Sequence, residues 1–324
     1  MVENLSIKSD LQNTPLKNVR SFKLEVPVLY IVFNRFDLVK KTFPKIKQQR
    51  PKQLFIASDG PRNKNEKRKV DEIRSYLQKS VDWHCTLKTL FREKNLGCGQ
   101  GPADAINWFF KNVDEGIILE DDCLPNKSFF IFCQEMLKTY KDNLDIMQIS
   151  GTNFLKFNAL EETYFFSKYG STWGWATWRR AWENFDYSLS KFKKFKAIKF
   201  KGELRFFDRL LKKTYFIIIK KGLIKGVWDY QWNLTRSIYG RFNITPVFNL
   251  VENIGFGENA THTTKKINIL KTKEIKFPLK KPKNIYLNKT YDTLFYRKRI
   301  IKNSIKNSIK IPFQLIKITL KSVK

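Results

Sequence analysis

Five short apolar runs, each separated from the next by a helix-like stretch, constrain this chain more tightly than any other feature. The runs are PVLYIVFN (27–34), QLFIAS (53–58), CTLKTLF (85–91), GIIL (116–119) and DIMQIS (145–150). Between them, helical character extends from Asp37 to about Gln49, over 65–79 with Val70, Ile73 and Leu77 on one face, from Pro102 to Lys111, and over 128–140. Strands alternating with helices through short connections predict an α/β fold with an open, Rossmann-like, mostly parallel sheet. Gly97 to Gly101 reads as a Gly-rich turn, with Pro102 opening the helix after it.

In open α/β sheets ligands bind beyond the carboxyl ends of the strands. Here those ends carry Arg35, Asp59 and the triplet Glu120, Asp121 and Asp122. Asp59, followed by Gly60 and Pro61, also suits a plain turn. The triplet is the surprising part, because the chain has 62 Lys and Arg against 30 Asp and Glu. Adjacent carboxylates repel, and burial raises their pKa values. A divalent metal, a basic side chain or bulk water must therefore lie beside them. With only two histidines in the chain, a metal would take oxygen ligands, which suits Mg²⁺ or Mn²⁺. The four cysteines form no C-x-x-C pair and read as reduced, cytosolic thiols.

The second half is less regular. SKYGSTWGWATWRRAW (167–182) concentrates tryptophans around Trp175, and GVWDYQWNLTRSI (226–238) carries Asp229 at the head of an expected helix. NITPVFNLVENIGFGENATHT (243–263) reads as a strand and a closing loop.

The order of these motifs resembles the nucleotide-sugar glycosyltransferases of the GT-A fold, most closely the N-acetylglucosaminyltransferase I branch. The matching pieces are VPVLYIVFNR (26–35), SDG (58–60), REKNLG (92–97), IILEDDCLPNKSFF (117–130), GWATW (174–178) and WDYQW (228–232). The resemblance implies a GT-A glycosyltransferase domain over 25–264. Its donor would be a nucleoside diphosphate sugar, UDP-linked, and its acceptor a hydroxyl of a glycan or lipid-linked oligosaccharide. It implies Asp122 as the direct ligand of Mn²⁺ or Mg²⁺, Asp121 on the ribose, and Glu120 on the sugar or the metal's water shell. Arg35 and Asp59 would grip the base, and Trp175 and its neighbours would shape the sugar pocket. Asp229 would be the general base of an inverting hexosyl- or N-acetylhexosaminyltransferase. The family's W-D-D-W is W-D-Y-Q-W here, so the base rests on Asp229 alone.

Charge gives a second line of reasoning. Residues 265–324 hold 18 Lys and Arg against two acids, and 189–225 hold 13 against two. Such surfaces attract anionic partners. Ile301, Ile305 and Ile309 repeat beside Lys302, Lys306 and Lys310, which predicts a basic, amphipathic C-terminal helical tail for an anionic membrane surface. The division expected is a polar tail (1–24), the catalytic domain (25–264) and this extension (265–324). The protein would be cytoplasmic and peripheral on the inner face of the membrane, with no specific nucleic acid partner. The rival reading, a basic membrane- or nucleic-acid-binding protein without catalysis, explains the charge but not the acids at a strand end. A nucleotidyltransferase would need a Gly-rich basic loop after the first strand, where this chain has NRFDLVKK (34–41).

Overall fold

The computed structural model describes residues 22–155, 161–223, 226–240, 242–256 and 271–301. In the first half the elements are β1 (Val28–Val32), α1 (Phe36–Lys47), β2 (Gln53–Ser58), α2 (Lys64–Ser80), β3 (Thr86–Phe91), α3 (Gly97–Asn112) and β4 (Glu115–Glu120). They continue with β5 (Cys123–Pro125), α4 (Lys127–Thr139), β6 (Ile146–Ser150), β7 (Tyr164–Ser167), β8 (Trp175–Trp178) and α5 (Arg179–Trp182). Last come α6 (Phe206–Lys220), α7 (Asp229–Tyr239), β9 (Phe242–Pro246), β10 (Val251–Asn253) and α8 (Lys289–Phe295).

Eight strands form one sheet in the order β3-β2-β1-β4-β8-β6-β9-β7. β1 to β4 are mutually parallel, β8 runs against both β4 and β6, β9 is parallel to β6, and β7 is antiparallel to β9. Six strands thus share one direction, which is the Rossmann-like, mostly parallel sheet expected. All five residues of β1 are buried because helices cover both of its faces, which is why it reads as an unbroken apolar run. One face packs on α1, α2 and α4 through Val39, Phe43, Ile73, Phe129 and Phe132; the other packs on α3 through Ile106 and Phe109. Val70, Ile73 and Leu77 are fully buried, as their spacing predicts.

Local chemistry sets the helix starts. Asn63 caps α2 by accepting the Glu66 N–H at 3.0 Å, while Glu66 accepts the Arg62 N–H at 2.9 Å. Asn126 caps α4 by accepting the Phe129 N–H at 3.1 Å.

Two expectations change. Gly97 to Gly101 is the first turn of α3 and Pro102 lies inside that helix, so the segment is not a loop. Its glycines serve close approach: a Cβ on Gly99 would stand 2.7 Å from the Val227 nitrogen and 2.8 Å from the Gly226 Cα. The boundary at 264/265 does not mark the end of the packed body either. Ile275 is buried in the main core, and Tyr291 and Phe295 of α8 pack on Phe165 and Leu155. Asp292 accepts a hydrogen bond from the Ser167 hydroxyl at 2.6 Å. The tail proposed for membranes lies, over 302–324, outside the described residues. Among the described residues no helix is long and apolar enough to cross a membrane.

Candidate active site

The carboxyl end of β4 delivers the acidic triplet next to the carboxyl end of β1, whose continuation turns into α1 at Arg35. The Arg35 guanidinium reaches across and bonds Asp121 Oδ1 with one nitrogen, which also lies 3.1 Å from Asp122 Oδ2. Of the three companions the sequence allows for the triplet, a basic side chain is present. Burial works against the Arg35 charge, yet Asp121 and Asp122 together hold its pKa above the ordinary value. Asp121 is 3% exposed, and its second oxygen accepts the Phe33 N–H at 3.3 Å. Burial pushes its pKa up, with Arg35 opposing. Both Asp121 oxygens are therefore engaged by the protein, and a ribose hydroxyl would share them with Arg35 and the Phe33 amide. Arg35 faces the Asp121 and Asp122 carboxylates.

One arginine does not balance three acids. Burial raises Glu120, then Asp122 and Asp121 raise it further, and Asp229 adds to the effect. Asp229 is the first residue of α7, where a carboxylate also favours the helix N-terminus. Its influence on Glu120 places the two ends of the expected machinery in one electrostatic neighbourhood. Asp122 is the more accessible member of the Arg35 cluster, its side chain 17% exposed against 4% for Asp121. The two-stranded ladder of β5 and β10 carries the chain back over it. A Cβ on Gly255 would stand 2.5 Å from Asp122 Oδ2, so only glycine lets the closing loop lie against that carboxylate.

Hard oxygen donors with excess negative charge fit Mg²⁺ or Mn²⁺. Among the described residues no three acidic, His or Cys side chains form a self-sufficient cage. That suits an ion held by one or two carboxylates and completed by phosphate and water.

A cleft of about 210 Å³ is lined by Gln148, Ser171, Trp173, Asp229, Asn233 and Arg236 among others. Trp173 is on its wall, but Trp175 is not: it is 0% exposed. Trp175 packs between Trp228, Trp232 and Trp182 at centroid distances of 5.8, 5.6 and 6.1 Å. The assignment of Trp175 to the nucleotide sugar is corrected accordingly. Its indole is core that stiffens the start of α7, and Trp232 secures the same helix by donating to Gln148 Oε1 at 2.8 Å.

Asp59 stands at the end of β2 but is turned inward. Its carboxylate accepts the N–H groups of Gly60, Leu96 and Gly97 at 2.9, 3.0 and 2.9 Å. It ties the turn to the first turn of α3, and a base N–H would have to share an already occupied carboxylate. Arg236 escaped the sequence reading, although it lies seven residues after Asp229 and hence on the same helical face.

No protein-family model matches the chain, and no curated protein sequence does. Solved structures with a similar backbone course include S. aureus TarS 1-349, at 11% identity and TM-score 0.36, covering 68% of this chain and 57% of that one. Another is the mannosyltransferase PcManGT from Pyrobaculum calidifontis, in complex with GDP-Man and Mn²⁺, at 13% identity and TM-score 0.35, with 62% and 54% covered. A third is HddC from Yersinia pseudotuberculosis, at 9% identity and TM-score 0.30, with 48% and 77% covered. The chain spans little more than half the length of the first two. Likenesses this distant concern the backbone and carry no residue's role.

Proposed function

We propose that the chain is a metal-dependent, inverting glycosyltransferase that moves a sugar from a nucleoside diphosphate donor, UDP-linked on the sequence resemblance, to a hydroxyl of a glycan or lipid-linked oligosaccharide. One observation carries the reading: β4, which ends in the acids, pairs with β8 so that Ile118 lies opposite Trp175, and Trp175 stacks on Trp228, the residue that precedes Asp229 at the head of α7. That juxtaposition supplies a diphosphate end and a base end in one place.

A divalent ion, when bound, neutralises the leaving diphosphate; Asp122 would hold it directly and Glu120 through water. The Asp229 carboxylate takes the proton of the acceptor hydroxyl. That oxygen forms the new bond to the anomeric carbon, the bond from that carbon to the diphosphate oxygen breaks, and its electron pair leaves with the diphosphate. Attack opposite the leaving group inverts the anomeric configuration. Arg35 opposes the upward pull of burial on Asp121 and Glu120 and holds Asp121 and Asp122 in place. The basic run at the C-terminus supports an acceptor at an anionic membrane, reached from the cytoplasmic side.

The test is thermal stability with UDP, GDP, CDP and dTDP, each with and without Mn²⁺. A ligand at a hundredfold excess over its Kd adds about 2.7 kcal/mol. One of the four should stabilise only with metal; stabilisation by none, in either condition, rejects the reading.

A further inference from the structure

Arg236 is 6% exposed, yet it lines the cleft. Its Nε is buried without a hydrogen-bond partner, and no carboxylate among the described residues pairs with its guanidinium. Burial alone pulls its pKa down, to about 10. A buried guanidinium with no counter-ion is costly to keep, and proteins of ordinary stability seldom do so without a ligand to meet it. The charge is not isolated. Asn233, on the same wall, accepts Lys212 Nζ at 2.5 Å. Burial pushes Lys212 down to about 8; Asp208 opposes this and Arg236 adds to it. Asp208 also accepts the Tyr169 hydroxyl at 2.7 Å. Asp208 therefore offsets the burial of Lys212, while nothing does so for Arg236.

Position separates this end from the diphosphate end. Asp229, Asn233 and Arg236 occupy one face of α7 at i, i+4 and i+7. At about 1.5 Å per residue, Arg236 is roughly 10 Å along the axis from Asp229. The charge of Asp229 acts on Glu120, whereas that of Arg236 acts on Lys212. The base and the cationic end thus follow one another along the cleft.

We propose that Arg236 anchors an oxyanion of the acceptor, a carboxylate or a phosphate, so that the substrate glycosylated is an acidic one. The inference rests on the transferase reading for its orientation. A planar guanidinium takes a carboxylate or phosphate through two parallel N–H donors. Ser171 borders the same space, and its hydroxyl, which accepts the Trp173 N–H, can donate to a sugar oxygen between anion and base.

The experiment melts the full chain with methyl glucuronide, glycerol 1-phosphate or methyl glucoside at matched ionic strength. It uses wild type, Arg236→Gln and Arg236→Lys, and a parallel series with UDP and Mn²⁺. At least one acidic compound should stabilise wild type where the neutral glucoside does not, and the stronger of the two identifies the source of the anion. Arg236→Gln should weaken that compound about tenfold or more, since a charge-assisted hydrogen bond is lost, and Arg236→Lys should retain part. The nucleotide response should be equal in all three proteins. Without ligand, Arg236→Gln should melt at or above wild type, because an unpaired buried charge is gone.

Equal protection by the neutral glucoside, or by no compound, overturns the proposal from wild type alone and leaves the donor reading standing. An acidic response that survives Arg236→Gln reduces it to adsorption on a surface of net charge +32. Loss of the nucleotide response in Arg236→Gln assigns the arginine to the donor's diphosphate. A variant that melts well below wild type makes Arg236 structural. Each of these three outcomes overturns it.

Discussion

Replacing Arg35 with Met removes the cation that holds the triplet together. Asp121 is left 4% exposed at its side chain with a backbone amide as its remaining partner, and Asp122 17% exposed. Breaking a buried ion pair from one side costs about 3–5 kcal/mol, because the surviving charge is stranded. Arg35 is itself 22% exposed, so water can partly replace it, and the lower figure of about 3 kcal/mol applies. For a chain of this size, at about 2.1 cal/mol/K per residue, that is a fall of about 4–6 °C in Tm. The sign of its pH dependence follows from Asp121. Its folded pKa is raised by burial even with Arg35 present, and loss of Arg35 raises it further. A carboxyl raised in the folded state contributes stability that is complete below the unfolded pKa of about 3.9 and is lost as pH rises through the folded value. The deficit of Arg35→Met should therefore be small near pH 5 and large near pH 8. Millimolar Mn²⁺ should recover part of it at the higher pH, if the freed carboxylates accept a cation. Urea unfolding at both pH values measures this. A variant within about 2 °C of wild type at pH 8, or a deficit that grows on acidification, refutes the electrostatic account of the cluster.

Three further outcomes follow. Asp229→Asn should lower kcat by about 10²–10⁴ while leaving nucleotide stabilisation intact, as steady-state kinetics beside a melting series will show. Trp175→Ala should cost about 3–5 kcal/mol in urea unfolding, with nucleotide affinity unchanged in the folded fraction, because the ring is core and not pocket. Gly99→Ala should destabilise by about 1–3 kcal/mol, since its Cβ would meet backbone atoms of 226–227, and it should also depress activity by shifting the chain that leads into Asp229.

β1, β2 and β4 were legible because they are buried on both faces and read as apolar runs, and α2 shows its buried stripe openly, whereas β3 is a largely exposed edge strand. β8 was not, because four residues, WATW, carry no alternation and take their place only by pairing with β4 and β6. The β5–β10 ladder is three residues long on each side and is fixed by tertiary contact. In α6 a helical face hides inside a lysine-rich run, where the basic residues dominate the eye. At the site, the acids and Asp229 were readable as residue types at strand and helix ends. Partner choice was not. Nothing local says that Arg35 turns to Asp121 and Asp122, or that Asp59 turns to the amides of Leu96 and Gly97. Those choices are made by elements distant in sequence. Arg236 was readable in principle, from its spacing to Asp229, but its burial was not.

The most direct test of sugar transfer is release of free nucleoside diphosphate from nucleotide sugars by the purified protein with Mn²⁺, followed chromatographically for wild type, Asp122→Ala and Asp229→Asn. The account predicts slow release from at least one nucleotide sugar, transfer to water standing in for the acceptor, with sharp loss in both variants. No release from any nucleotide sugar, or release that both variants leave untouched, would contradict it.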